Sequence, residues 1–415
     1  MRSRSVISIV LLILFLLDLY VFQAVRTVIS HFHPFARLTI LIAYWIIALA
    51  CWILVLTTPH WHVTEARGNF KFIIITIIFG IYIGKLLASV FLLIDDLRRG
   101  GVWIFSLFQS KPVVSPPDII HGITRSQFLS KAGLLAGGGL LATLLYGFSN
   151  KYNYRIRRIN LAFPNLPAAF KGLQIIQISD IHSGSFDNYE KVRRGIDMIK
   201  NEKPDVIFFT GDLVNNRSDE VNDYRELLSS LQAPMGVFAI LGNHDYGDYV
   251  TWESKEAKAA NLERLKEIEA VMGWQMLNNA HAVLEKDGQK IAVIGVENWS
   301  AKARFPKYGD LKKACAGTEN IPFKILLSHD PSHWDAQVLP DYPDIALMLA
   351  GHTHGMQFGV EIPGIKWSPV QYTYKEWAGL YKEGKQYLYV NRGFGFLGYP
   401  GRVGILPEIT VITLG

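Results

Sequence analysis

The stretch Gly351-His352-Thr353-His354 comes directly after the apolar segment 345–350, and this arrangement decides the fold of the 415-residue chain. The same arrangement, an apolar segment followed by a polar cluster, occurs four times earlier in the chain. Asp180-Ile181-His182 follows segment 173–179, and Gly211-Asp212 follows segment 206–210. Gly242-Asn243-His244-Asp245 follows segment 236–241, and His329-Asp330 follows segment 324–328. Short, continuously apolar segments are typical of strands buried on both faces of a sheet. Ligands of open α/β sheets bind beyond the carboxyl ends of the strands, so we expect the five polar clusters to form one site.

Helical and hairpin patterns between these segments indicate an α/β domain over residues 151–415. Apolar and charged residues alternate at helical spacing over 189–201 and 253–272. Segments 281–285 and 290–296 flank Asp287-Gly288, a turn sequence that predicts a β-hairpin.

The polar clusters combine carboxylate, carboxamide and imidazole groups, and these donors predict a metal centre. Such a set suits Mn, Fe, Zn or Co better than Ca or a structural zinc site. Cys51 and Cys315 are the only cysteines and neither lies in a Cys-x-x-Cys motif, so the chain offers no thiolate site. More ligands are present than one ion needs, which predicts two divalent ions that share a carboxylate and activate a water for attack on a phosphate.

The order of the five clusters is similar to that of the calcineurin-like metallophosphoesterase superfamily, from about Leu173 onward. Segments 350–357, 391–395 and 407–409 resemble its transmembrane, export-signal-bearing branch. The resemblance implies a four-layer α/β/β/α sandwich with two mixed sheets. It also implies metal ligands, namely Asp180, His182 and His354 for one ion, Asn243, His329 and His352 for the other, and Asp212 as the bridge.

The resemblance also implies a role for His244 beside the metals. This imidazole would protonate the leaving oxygen or stabilise charge on the phosphoryl group, with Asp245 orienting it. A histidine that only packs behind the ligand asparagine is the alternative. Arg392, in a glycine-rich loop, is predicted to bind a substrate phosphate, and a surface arginine is the alternative.

Two positions depart from the family pattern. Asn215 stands where aspartate is frequent, so we expect altered hydrogen bonding beside the ligands more than altered ligation. Met356 stands where glycine is common, which predicts a narrower and more apolar rim.

The first 150 residues predict a multi-pass membrane domain. They hold 12 basic and 5 acidic side chains, whereas the rest of the chain holds 30 and 31. The positive charge therefore flanks apolar segments, which argues against a nucleic-acid partner. Segments near 6–25, 38–57, 72–94 and 128–148 are long enough to cross a membrane as helices. The first is too long for a signal peptide, and the fourth is either packed through its glycines or a lone anchor.

Two ionisable residues, Asp18 and Lys85, lie inside the predicted spans. We expect one of two arrangements. Either the two side chains pair with each other, or the Lys85 ammonium reaches the membrane–water interface while the Asp18 carboxyl stays protonated. Gly80 and Gly84 form a GxxxG motif, and Gly133 with 137–139 forms a face of small residues; both favour close helix packing.

Orientation depends on one local feature, because basic residues are nearly equal in number on the two sides. Segment 124–131 resembles a twin-arginine export signal with Ser126 in place of the second arginine, which predicts an extracytoplasmic catalytic domain. The prolines at 112, 116 and 117 indicate a linker. Lys151, Arg155, Arg157 and Arg158 predict a basic collar on membrane lipids, with a solvated linker as the alternative.

These features predict a membrane-tethered dimetal phosphohydrolase that cleaves a phosphodiester or pyrophosphate. A lipid-linked substrate, of the UDP-2,3-diacylglucosamine type or a phospholipid, is favoured because tethering raises the effective concentration of partners on one surface. A cell-wall polymer phosphodiesterase and a non-enzymatic membrane module with a structural metal site are the alternatives. The intact histidine of Gly242-Asn243-His244-Asp245 argues against the latter.

Overall fold

The structure is a computed structural model that describes residues 2–57, 65–108 and 124–415. It divides into two compact units, Met1–Tyr146 and Gly147–Gly415. The predicted proline-containing linker lies outside the described residues.

The first unit contains four helices, α1 (Arg2–Val28), α2 (Pro34–Thr57), α3 (Glu65–Leu107) and α4 (Arg125–Gly147). All four are long and apolar enough to cross a membrane, which confirms the prediction of four apolar helices. Helix α3 is longer than predicted, since it continues without a break for 43 residues.

Asp18 is the polar centre of this unit. Its carboxylate is fully buried and forms an ion pair with Lys85. Trp52 Nε1 and the Tyr82 hydroxyl each donate a hydrogen bond of 2.9 Å to Asp18 Oδ2. Of the two alternatives for these ionisable residues, the structure therefore shows the pair.

Glycines bring α3 and α4 into backbone contact. A Cβ atom on Gly84 would lie 2.7 Å from the carbonyl oxygen of Gly137, and one on Gly133 would lie 2.9 Å from that of Ala88. Gly138 faces open space. Helix α4 therefore packs through one glycine face and is not a lone anchor.

The segment that resembles an export signal forms the beginning of α4. Gln127 N donates to Thr124 Oγ1 at 3.2 Å, and Thr124 N donates to Gln127 Oε1 at 3.1 Å. These reciprocal bonds make a capping box. Thr124 and Gln127 thus have a structural role that the sequence comparison with export signals did not anticipate.

The second unit contains 14 strands in two six-stranded sheets and one ribbon. The strands are β1 (Arg155–Leu161), β2 (Gln174–Ile178), β3 (Val206–Phe209), β4 (Val237–Ala239), β5 (Trp274–Met276), β6 (Ala280–Lys286), β7 (Gln289–Gly295), β8 (Lys324–Leu327), β9 (Ile345–Ala350), β10 (Val360–Ile362), β11 (Ile365–Trp367), β12 (Gly379–Glu383), β13 (Gln386–Val390) and β14 (Glu408–Leu414). The helices are α5 (Tyr189–Asn201), α6 (Arg225–Ser229), α7 (Lys255–Val271), α8 (Leu311–Cys315) and α9 (Leu339–Asp341).

Both large sheets are mixed. The first has the order β1-β14-β2-β3-β4-β5, in which β14 is parallel to β1 and antiparallel to β2. The second has the order β12-β13-β9-β8-β7-β6, with antiparallel strands at both edges. The inner faces meet in one apolar core, exemplified by Phe208 and Leu347, and helices cover the outer faces. This is the predicted four-layer sandwich, which confirms the fold class.

The five predicted buried strands are present as β2, β3, β4, β8 and β9, and α5 has the predicted bounds. The residues of the predicted basic collar belong to the folded second unit and not to a solvated linker, and three of their side chains are ion-paired there. Lys151 pairs with Asp187, Arg157 with Glu361 and Glu408, and Arg158 with Glu202. Arg155, Arg157 and Arg158 lie in the edge strand β1, which the sequence patterns did not predict.

Candidate metal centre

Five strand ends from both sheets surround one buried polar site. Strands β2, β3 and β4 supply Asp180, His182, Asp212 and Asn243, while β8 and β9 supply His329, His352 and His354. Two groups of three could each hold an ion, Asp180 with His182 and His354, and Asp212 with His329 and His352. Within each group the ligand atoms lie within 4.8 Å of one another.

The first group has three donor atoms at contact distance. His354 Nε2 lies 3.1 Å from His182 Nε2 and 3.2 Å from Asp180 Oδ1. His182 and Asp180 are fully buried, and Nδ1 of His182 has no hydrogen-bond partner. Two imidazole nitrogens and a carboxylate that converge in this way fit a divalent cation.

Asp212, a member of the second group, lies next to the first. Asp212 Oδ2 lies 3.1 Å from His329 Nε2 and 3.6 Å from His182 Nε2, so this carboxylate stands between the groups. Asn243 Oδ1 lies 2.7 Å from His352 Nδ1. The structure thus brings all seven predicted ligands to one place.

Five of the ligand residues have a left-handed backbone. The φ angles are 52° at Asp180, 49° at His182, 63° at Asp212, 70° at His352 and 50° at His354. A residue with a Cβ atom in a sparsely populated backbone region costs about 1 to 3 kcal/mol and persists only where its surroundings enforce it. Strain is therefore concentrated at the strand ends that carry the ligands, and no sequence pattern had indicated it.

Residues distant in sequence hold the ligand imidazoles in place. His329 Nδ1 lies 2.7 Å from the Thr210 carbonyl oxygen, which directs its Nε2 towards Asp212. His352 Nε2 lies 2.8 Å from the Tyr374 hydroxyl. Neither Thr210 nor Tyr374 belongs to a motif, so sequence reasoning missed both. Such outer partners fix the orientation of ligand histidines.

Burial and charge oppose each other at the imidazoles. Burial lowers the pKa of His182 to about 3, although the Asp212 charge acts in the opposite direction. Burial also disfavours a charged His329, but the nearby Asp212 carboxylate outweighs it and raises the pKa of His329 to about 10. Burial raises the pKa of Asp245 to about 7, and the charge of Asp212 adds to this rise.

The predicted role of Asp245 is wrong. Its carboxylate accepts hydrogen bonds from the backbone N–H groups of Asp212, Leu213, Val214 and Gly242, at 2.8 to 3.2 Å. It therefore braces the turns that carry the ligands. The group that orients His244 is the Asn215 carbonyl oxygen, which lies 2.8 Å from His244 Nδ1.

The predicted role of Arg392 is also corrected. Its side chain is 2% exposed, and its guanidinium donates to both carboxylate oxygens of Glu361, at 2.6 and 3.1 Å, and to Glu408. All three of its nitrogens are committed to carboxylates, so none is available to a phosphate.

The two departures from the family pattern have local explanations. Asn215 Nδ2 donates to Ser185 Oγ at 3.1 Å, a hydrogen bond that an aspartate, which lacks an amide N–H, would not donate. Met356 has a φ of 54° and an exposed side chain. A left-handed backbone explains why glycine suits this position.

A buried arginine also faces the site. Arg402 is fully buried, and its Nη2 lies 3.3 Å from His354 Nδ1. The same guanidinium donates to the carbonyl oxygens of Arg392, Gly393 and Gly395. It thereby ties the loop after β13 to the first ligand group, a contact that sequence reasoning did not find.

Comparison with known proteins agrees with this arrangement. Residues 173–356 match the family described as "Calcineurin-like phosphoesterase", and residues 2–151 match "Probable Calcineurin-like phosphoesterase, transmembrane domain". The chain is 33% identical to "Uncharacterized metallophosphoesterase YkuE" of Bacillus subtilis, over 70% of this chain and 98% of that protein. It is 31% identical to "Transmembrane protein with metallophosphoesterase domain" of Danio rerio, over 62% of this chain but only 56% of that protein.

A further relative has a named substrate. The chain is 28% identical to "UDP-2,3-diacylglucosamine pyrophosphatase LpxG" of Chlamydia trachomatis, over 58% of this chain and 83% of that protein. Taken with the folded site, these matches show that the chain belongs to the calcineurin-like phosphoesterases, a family of metal-dependent hydrolases, in a form that carries an N-terminal membrane domain.

Proposed function

We propose that this protein is a membrane-tethered phosphohydrolase with two divalent ions, of Mn, Zn or Fe, that cleaves a phosphodiester or pyrophosphate in a lipid-linked substrate. The observation that supports this most strongly is the position of Asp212 between two groups of buried ligands. Asp180, His182 and His354 would hold one ion, Asn243, His329 and His352 the other, and Asp212 both.

The residues present fit such ions. Carboxylate, carboxamide and imidazole groups suit these metals, and the buried Nε2 of His329, which faces Asp212, has no hydrogen-bond partner. When bound, two divalent ions supply Lewis-acid polarisation of a phosphoryl oxygen and make water nucleophilic near neutral pH.

His244 is the proposed proton donor. Its Nδ1 is held by the Asn215 carbonyl oxygen, and its ring centre lies 5.1 Å from that of the ligand His182. A carbonyl oxygen can only accept a hydrogen bond, so the Nδ1 that faces it must carry a hydrogen. Nε2 is therefore the nitrogen that donates a proton to the leaving oxygen.

The membrane domain and the relatives favour a lipid-linked substrate. A catalytic unit joined to four membrane-spanning helices meets lipid substrates at a raised effective concentration. The Chlamydia relative is named for a pyrophosphatase activity on UDP-2,3-diacylglucosamine. A phosphodiesterase acting on cell-wall polymers is the second candidate, since the same metal centre serves either bond.

Metal analysis of purified full-length variants tests this proposal. Asp212→Ala should lose both ions in elemental analysis, because the shared ligand is removed, whereas His329→Ala should lose about one. Both should lose Mn-dependent hydrolysis of bis(4-nitrophenyl) phosphate. The exposed Asp219→Ala, which lies outside the site, is the matched control and should keep metal and activity. A fully metallated and active Asp212→Ala protein would contradict the dimetal site.

A further inference from the structure

The loop 299–308 carries three basic residues, Lys302, Arg304 and Lys307, and no acidic ones. Their cationic groups lie over aromatic rings: Lys302 over Tyr374 at 5.4 Å, Arg304 over Phe305 at 4.9 Å and Lys307 over Trp299 at 4.3 Å. Within residues 2–57, 65–108 and 124–415, none of the three forms an ion pair with a carboxylate. The loop therefore presents positive charge that the protein itself does not neutralise.

The loop is fixed at both ends by Asn298, which is fully buried. Asn298 Nδ2 donates to the Pro306 carbonyl oxygen at 3.0 Å, and its own carbonyl oxygen accepts from Tyr308 N at 2.8 Å and Gly309 N at 3.1 Å. These bonds close the loop on itself. The basic side chains are consequently carried on a defined backbone.

This loop lies beside the second ligand group. The Phe305 ring is 4.8 Å from the ring of His352. Tyr374, which lies under Lys302, contacts His352 Nε2 through its hydroxyl at 2.8 Å. Phe305 thus adjoins a proposed metal ligand directly, and Lys302 is linked to the same ligand through Tyr374.

Arg304 is held at the same place. Its guanidinium lies 4.9 Å from the centre of the Phe305 ring, and that ring is the one that adjoins His352. Arg304 is exposed and Lys302 is partly exposed, so a substrate can reach both.

We propose that Lys302 and Arg304 bind a second phosphate group, next to the phosphate held at the metal centre, and so select pyrophosphate-linked substrates. This inference rests on the function proposed above. A phosphodiester has one negatively charged phosphate group, and the two proposed divalent ions are sufficient to bind it. A pyrophosphate has a second charged phosphate group that needs its own binding site. A guanidinium and an ammonium carried by the same loop are suited to that second group.

In the reaction that follows, a water oxygen forms a bond to the phosphorus at the metal centre, and the bond from that phosphorus to the bridging oxygen breaks. The bridging oxygen leaves on the second phosphate and takes a proton from His244, and the proton lost by the water passes to solvent. Two phosphate monoesters result. Lys302 and Arg304 would hold the leaving phosphate as its charge grows.

Kinetics of the full-length, Mn-loaded protein test this specificity. The substrates are UDP-glucose, which contains a pyrophosphate, and bis(4-nitrophenyl) phosphate, which contains one phosphate. Arg304→Ala and Lys302→Ala should each lower kcat/KM about tenfold more for the pyrophosphate than for the diester, the size of a lost charged hydrogen bond. Arg304→Lys should recover part of the loss. Lys307→Ala removes the same charge from the same loop, over Trp299, and should show no such difference.

Calorimetric binding of non-hydrolysable anions separates this inference from the proposed function. Arg304→Ala should weaken the binding of methylenediphosphonate about tenfold more than that of methylphosphonate. If the protein hydrolyses the diester but Arg304→Ala weakens the binding of both anions equally or of neither, the inference is overturned and the proposed phosphohydrolase function stands. A protein that hydrolyses neither substrate but shows the difference refutes the hydrolase and supports the anion site. Equal losses for both anions would make Arg304 structural.

Discussion

His244 has one imidazole nitrogen committed to the Asn215 carbonyl oxygen, so its chemistry depends on the other. We expect His244→Ala to retain its metal and to lose about 10² to 10⁴ in rate, the usual contribution of a positioned proton donor. His281→Ala is the matched control, because His281 also lies against a backbone carbonyl, at 3.0 Å from Ala314 O, but outside the site. Both are compared by elemental analysis and steady-state kinetics. Loss of metal with activity would make His244 a ligand, and unchanged activity would make it structural.

A second residue, Glu269, links stability to pH. Its side chain is fully buried in α7, and neither carboxylate oxygen has a hydrogen-bond partner. Burial raises its pKa well above 4.5, and the charge of Asp245 adds to this. The folded protein therefore keeps a proton that the unfolded chain releases, so the free energy of unfolding falls as pH rises above about 4.5.

Glu269→Gln should remove the part of this dependence that Glu269 contributes. We expect the variant to gain stability relative to the natural protein progressively as pH rises above about 5, because only the natural protein releases a proton from Glu269 on unfolding, whereas Asp245 contributes equally to both. Urea unfolding of the detergent-solubilised full chain, followed by tryptophan fluorescence, measures the difference. Glu267→Gln, on the exposed side of the same helix, should run parallel to the natural protein. Parallel profiles for Glu269→Gln as well would contradict the expectation.

Residue identities at the ligand positions follow from motifs, because a metal demands particular donor atoms. The supporting contacts do not follow in this way. Asp245 braces backbone amides and Arg392 pairs with carboxylates, yet both residue types also suit the roles first predicted for them. Their roles depend on which groups the fold brings near, and Glu361 lies 31 residues from Arg392.

At the scale of elements, the contact between α3 and α4 is set by the absence of side chains. Gly137→Leu should destabilise the membrane unit by about 1 to 3 kcal/mol, because its side chain would meet the Gly84 carbonyl and force the helices apart. Gly138→Leu, one residue further along α4, faces open space and is the matched control. Thermal unfolding of the full chain in detergent compares them. Equal stability of the two variants would contradict this packing.

The strands that carry motifs and the β6–β7 hairpin were predicted, whereas the remaining strands were missed. β2, β3, β4, β8 and β9 are continuously apolar because both faces are covered, and that pattern is visible in sequence. β1 contains three arginines, and two of them, Arg157 and Arg158, form ion pairs with glutamates that are distant in sequence. Its composition resembled a membrane flank, so only tertiary pairing reveals it as a strand.

At the scale of the whole molecule, the side of the membrane on which the catalytic unit lies decides which substrates it can meet. We expect it to be extracytoplasmic, on the basis of the export-signal-like segment. Lys286→Cys, at an exposed hairpin position, should react with a membrane-impermeant maleimide in cells with an intact inner membrane, in a Cys51→Ser, Cys315→Ser background. Ser218→Cys is the control and should stay unreactive, because Ser218 is 3% exposed.

Labelling of Lys286→Cys only after lysis would place the unit in the cytoplasm. The search for a substrate would then begin with nucleotide-linked lipids, the class that the name of the Chlamydia relative contains. Labelling in intact cells would direct the search to lipids and polymers outside the inner membrane.

Strand β14 pairs with β1 on one side and with β2 on the other, so the first strand of the catalytic unit has the last one as its neighbour. During translation, β1 leaves the ribosome long before its partner exists. Strands β2, β3 and β4, which precede proposed ligands, are likewise synthesised before β14, which lies between β1 and β2 in the finished sheet. Translation of β14 therefore sets the earliest moment at which the first sheet can close, and a ribosome that stops just short of it leaves every proposed metal ligand in the chain but no completed sheet to hold them.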